Sequence, residues 1–179
     1  MELVSVLVNA AALFLLWLFV AAGSHKLQSN NSEYYEVIFA GYGIQSAFLA
    51  QQLPKLVGVI EVVVGMLLLV PALRPWGAAA AAVILAAYAL LILLQLLQGK
   101  SGMDCGCAGP DGEIKISPAL LLRNLVLLSL AVFCWQAVVT VGVMPWLISV
   151  LAATVLILVY LSGEQLMVTA QRIQLIQRG

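Results

Sequence analysis

PKLVGVIEVVVGMLLLVPALRPWGAAAAAVILAAYALLILLQLL, residues 54–97, decides the fold of this chain. It holds two apolar runs of about 20 residues, the length needed to cross the hydrocarbon of a bilayer as a helix. Between them Pro71, Arg74 and Pro75 mark a very tight turn, so the two runs are antiparallel neighbours: spans at 54–73 and 76–97. Pro54 suits the first turn of the earlier helix. Gly58 and Gly65, one heptad apart, predict a close helix contact, and the small residues 77–82 offer the same on the later helix.

Working outward, further apolar runs lie at 3–23, 118–140 and 143–161. The first is too long for an ordinary signal-peptide core and has no positive n-region, so it reads as a retained span. Of the 179 residues 64% are hydrophobic and 9% charged; the mean hydropathy is +1.10. Soluble domains carry about 25% charged residues, so the bilayer is the solvent. The expectation is an all-α integral membrane protein of five transmembrane helices, with residues 1–179 forming one domain. A net charge of +0 without a basic patch argues against nucleic-acid binding. Membrane lipid is the expected surrounding.

Two segments stand outside the spans. Residues 29–52 carry Tyr34, Tyr35, Val37, Ile38 and Phe39 around Glu33 and Glu36, which predicts a short interfacial helix with tyrosines at headgroup depth. It serves either as an amphipathic connector or as a lid over a site. The tail, 163–179, alternates Gln and Arg with Leu and Ile and reads as a helix leaving the membrane.

The chemistry concentrates in the loop at 99–117, which holds Met103-Asp104-Cys105-Gly106-Cys107-Ala108-Gly109-Pro110. Two thiols separated by one glycine close only a small, strained ring, and strained exposed disulfides are the labile or catalytic ones. The expected catalytic pair is Cys105 and Cys107; a plain turn and a metal site are the alternatives. Two closely spaced thiols and a single histidine do not make a complete intrachain zinc site, and no metal is expected. Cys134, in the middle of the fourth span, reads as packing.

Ionisable residues inside spans are expensive and point to function by default. Glu61 lies about 10 Å into its expected span and Arg123, followed by Asn124, about 7–8 Å into the fourth, at 1.5 Å per residue. His25 and Lys26 close the first span. All enter from the side of the cysteine loop, so a bundle can gather His25, Lys26, Glu61, Arg123 and Asn124 beneath the thiols. One reading pairs Glu61 with Arg123 and leaves His25 and Lys26 snorkelling to the interface. The other uses the cluster to favour a thiolate and move its proton. Lys26, Lys55, Lys100, Lys115, Arg123, Arg172 and Arg178 share that side against Arg74 on the other, which places the loop in the cytoplasm.

The residues resemble a known group. Gly23-Ser24-His25-Lys26-Leu27 resembles the G-x-x-K-L helix ending of DoxX-like membrane proteins, and the Glu61 segment, 60–68, resembles their glutamate-bearing second helix. Cys105-Gly106-Cys107-Ala108-Gly109-Pro110 with Leu122-Arg123-Asn124 is similar to the C-G-C-F-G loop and R-N helix start of the methylamine-utilisation MauE family. Ala108 departs from the usual aromatic.

The resemblance implies a four-helix DoxX-like core with one added C-terminal span, in a bacterial inner membrane. It further implies thiol–disulfide exchange with a thioredoxin-fold partner or a disulfide-containing protein, supporting disulfide formation or protein maturation, and needing no cofactor. In methylamine users that maturation concerns the small subunit of methylamine dehydrogenase. The implied chemistry lies outside the cytoplasm, against the Lys/Arg count; an electron carrier that works across the membrane would reconcile them. Two alternatives stand beside it: a disulfide oxidant coupled to a quinone, and a non-catalytic structural or assembly subunit of a larger membrane complex.

Overall fold

The computed structural model describes residues 2–41, 43, 46–99, 115–136 and 143–178. Its helices are α1 (Glu2–Leu27), α2 (Ser32–Gly41), α3 (Ala47–Leu69), α4 (Arg74–Leu97), α5 (Pro118–Gln136) and α6 (Val143–Arg178), with a 3₁₀ turn at Ser29–Asn31 before α2. Five of them, all but α2, are long and apolar enough to cross a membrane. The chain is a multi-pass helical membrane protein. Residues 100–114 lie outside the described part of the structure, and with them the expected catalytic pair Cys105 and Cys107.

α1 is the hub. It packs on α3, α5 and α6, while α4 closes the bundle against α3 and α5. Val8, Ala11, Ala12, Leu15 and Phe19 are buried along it and meet Val64, Leu68, Ala81, Leu85, Leu127 and Ala131 from its neighbours. Glycine makes the α1–α3 approach close. A Cβ on Gly23 would stand 2.6 Å from the Gly58 carbonyl oxygen, and one on Gly58 would stand 2.9 Å from the Gly23 oxygen. Lipid supplies no hydrophobic drive between helices, so such contact rests on van der Waals packing. The expected helix contact at Gly58 and Gly65 is present, with Gly65 against Val20 and Leu16.

Several boundaries differ from expectation. α3 begins at Ala47, so Pro54 sits inside the helix rather than in its first turn. Proline lacks the N–H that would bond the Ala50 carbonyl; the helix continues because its apolar surface packs on both sides of that gap. Consequently Glu61 lies 14 residues from the helix start, about 21 Å along α3 at 1.5 Å per residue. α1 continues to Leu27, carrying His25 and Lys26 within the helix. The fifth span and the tail form one helix of 36 residues. At 1.5 Å per residue it is about 54 Å long, well beyond a bilayer core of about 30 Å.

The turn before α4 is as tight as Pro71 and Pro75 demand, Leu73 and Arg74 both donating to the Val70 carbonyl. Arg74 is not a free surface cation. It is buried, its Nε donating to the Leu68 carbonyl at 3.2 Å and its Nη1 to Asn9 Oδ1 at 2.7 Å, which caps α3 and ties it to α1. The expected interfacial helix exists as α2, yet Tyr35 and Ile38 are buried in the protein. Tyr35 is 1% exposed. Cys134 is buried against the Val8 carbonyl, the packing role expected for it.

Candidate functional site

Lys26 follows Gly23 by three residues on α1, and Glu61 follows Gly58 by three on α3. Positions three apart share a helix face. The two glycines touch, so the lysine and the glutamate meet one turn further along. Lys26 Nζ donates to both carboxylate oxygens of Glu61, at 3.0 and 2.8 Å, with both side chains buried. Tyr88 from α4 donates its hydroxyl to Glu61 Oε1, and the ammonium lies 5.7 Å from the Tyr88 ring centre. A buried charge is tolerated where it is paired and hydrogen-bonded. This carboxylate has two partners from two other helices.

The second pair corrects the sequence reading. Arg123 does not meet Glu61. Its Nη1 donates to Glu164 Oε1 on α6. Tyr160, one turn earlier on α6, donates to the same oxygen at 2.8 Å and lies under the guanidinium, 5.6 Å from ring centre to Cζ. Nor does Lys26 snorkel; it turns inward to Glu61. Each cation therefore has its own carboxylate, and each carboxylate its own tyrosine.

Lys26, Glu61 and Arg123 nonetheless line one cavity of about 40 Å³, together with Tyr88, Asn124 and Tyr160. The structure brings together Lys26, Glu61, Arg123 and Asn124 of the expected cluster. It leaves out His25, whose backbone carbonyl accepts a hydrogen bond from Asn31 Nδ2 at 3.0 Å. Asn124 is buried, and its Nδ2 has no partner; the same holds for Arg123 Nε. The helix ends around this cavity are those that flank residues 100–114. Tyr88 lies about 14 Å before the end of α4, and Arg123 about 8 Å after the start of α5.

Tyr35 belongs to the surroundings of this site. Its hydroxyl is buried without a partner, and its acidity is weakened to a pKa of about 12, first by burial and then by the Glu61 charge. The extension of α6 makes a further contact at the start of α5. Gln171 accepts from the Lys115 N–H at 3.1 Å and donates to the Lys115 carbonyl at 3.2 Å, which holds the start of α5 against α6.

Sequence reasoning missed Tyr88, Tyr160 and Glu164. Tyr88 is the one hydroxyl-bearing side chain in the Ala/Leu-rich α4, and Tyr160 and Glu164 stand four apart on one face. Those were usable signals, lost because α6 was expected to end at 161.

A helical membrane bundle with two charge pairs buried between its helices, and a cysteine-bearing connection from α4 to α5, is the class this architecture and sequence define. The model of the family described as methylamine utilisation protein MauE matches residues 4–137, and the chain belongs to that family. Among its relatives, the methylamine utilization protein MauE of Paracoccus denitrificans is 31% identical over 160 residues, covering 88% of this chain and 85% of the relative. The protein of the same name from Methylophilus methylotrophus is 28% identical over 158 residues, 86% and 82% of the two chains. No solved structure matches.

Proposed function

We propose that this protein performs thiol–disulfide exchange at a bacterial inner membrane, through Cys105 and Cys107, with a thioredoxin-fold protein or a disulfide-containing protein as partner. The exchange supports disulfide formation or maturation of a protein used in methylamine utilisation. The observation that carries this reading is the Cys-Gly-Cys sequence in the connection between α4 and α5, inside the stretch that matches the MauE family. A thiolate attacks a partner disulfide sulfur, a mixed disulfide forms, and the neighbouring thiol resolves it as the leaving sulfur takes up a proton. The leading reading requires no cofactor. A quinone as electron acceptor belongs to the alternative in which the protein itself oxidises thiols.

The test uses Cys107→Ser in intact cells, compared with wild type on non-reducing gels after alkylation by a membrane-impermeant maleimide. A trapped mixed disulfide with a second protein is the expected result. A pair that stays in one state and traps nothing rejects exchange. Labelling from outside the cell would also overrule the one-sided distribution of lysine and arginine.

One structural observation favours a second reading, a non-catalytic subunit of a larger membrane complex. Lys26 is engaged with Glu61 and Arg123 with Glu164, each across two helices, an arrangement that serves assembly of the bundle by itself. Co-purification with a large complex regardless of thiol state would support it.

A further inference from the structure

Two residues that line the cavity beside the Lys26–Glu61 pair carry buried hydrogen-bond donors with nothing to bond. Asn124 is 3% exposed, lines the cavity, and has an unpartnered Nδ2; Arg123 lines it too, with an unpartnered Nε. Buried polar groups in native proteins find a protein or water partner in the great majority of cases. Inside a membrane bundle the requirement is stricter, since lipid offers no acceptor. Neither orphan is a surface group awaiting bulk solvent.

The charges present are balanced, Lys26 against Glu61 and Arg123 against Glu164. An added ion would leave the site with a net charge, so a neutral occupant fits. It must accept from an amide and a guanidinium and donate to the Glu61 carboxylate. Volume narrows the choice. About 40 Å³ holds three or four waters, at roughly 10–15 Å³ each.

We propose that this cavity is a built water site, in which three or four ordered waters accept from Asn124 Nδ2 and Arg123 Nε. They donate to Glu61, the carboxylate that lines the cavity, joining the Lys26–Glu61 pair to Arg123 in one buried hydrogen-bonded network. Asn124 is the anchor, because its amide is the most enclosed of the unpaired groups lining the cavity. The proposal is independent of any thiol chemistry and stands or falls on hydration alone.

The experiment is hydroxyl-radical footprinting by X-ray radiolysis of the full protein in lipid nanodiscs, read by mass spectrometry. Radicals born from bound water oxidise the side chains beside it. Phe19 and Phe14 provide the comparison: both lie on α1 and both are buried, at 3% and 4% exposure, but only Phe19 lines the cavity. The expected result is oxidation of Phe19 severalfold faster than Phe14. Asn124→Leu, which removes the donor and fills the space, should bring Phe19 down to the Phe14 rate. Should that variant not fold, Ala22→Val narrows the same cavity without touching a polar group and should do likewise. Equal rates for Phe19 and Phe14 in the wild type would mean a dry cavity and overturn the proposal. Unchanged Phe19 labelling in a folded Asn124→Leu variant would overturn it equally.

Discussion

Removing one member of the Lys26–Glu61 pair should be far worse than removing both. Glu61 is 1% exposed and the Lys26 side chain 6%, with Nζ held 2.8–3.0 Å from both carboxylate oxygens. Glu61→Gln leaves the ammonium enclosed without a carboxylate, a loss of about 3–5 kcal/mol by the behaviour of broken buried pairs. Replacing the whole pair by hydrocarbon, Lys26→Met with Glu61→Leu, removes the desolvation cost as well as the attraction. That double variant should lie near the wild type or above it. Unfolding in mixed micelles gives each free energy, and Lys26→Met and Glu61→Leu made singly complete the double-mutant cycle with the double variant. For a chain of this size about 2–4 °C per kcal/mol applies, so the single variant should also melt roughly 6–20 °C lower. A Glu61→Gln variant within about 0.5 kcal/mol of wild type, the ordinary range for surface changes, would refute the reasoning.

Gly58→Ala should destabilise by about 1–3 kcal/mol, the usual cost of overpacking, because its Cβ would stand 2.9 Å from the Gly23 carbonyl oxygen; Gly163→Ala, with open space around it, is the control in the same assay. Glu164→Gln should cost about 1–3 kcal/mol through the charged Arg123 partner left behind, measured again by unfolding in micelles. Tyr35→Phe deletes a buried hydroxyl that has no partner and should be neutral or stabilising at pH 7. The Tyr35 pKa is raised in the folded state, so its contribution is complete below the ordinary value of about 10 and is lost as pH rises through about 12. Wild type should therefore lose stability in that window more steeply than Tyr35→Phe, which a pH series of melting curves reads directly. Cys134, at 1% exposure, should resist maleimide until the protein unfolds, followed by mass spectrometry in a Cys105→Ser/Cys107→Ser background.

Hydropathy alone was enough for five spans, because a bilayer demands about 20 apolar residues per crossing and the breaks at Pro71, Arg74 and Pro75 are unambiguous. It was not enough for the ends. Pro54 looked like a helix start, but tertiary packing carries α3 through it. The tail looked separate from the fifth span because Glu164 and the glutamines end the apolar run; helical backbone bonding is indifferent to that change and continues to Arg178.

Composition and pattern thus determined the solvent, the helical class, the number of spans, the end of the bundle where charge collects and the family. The cysteine spacing, too, is a property of sequence alone. Which charges pair was decided only in three dimensions. Burial forces every ion toward the nearest partner, and nearness follows from the Gly23–Gly58 contact that sets Lys26 on Glu61, and from the extension of α6 that delivers Glu164 to Arg123. Counting charges by depth could assemble the right residues. It could not assign partners, because helix rotation and axial register, which fix who meets whom, are set by side-chain packing over the whole bundle.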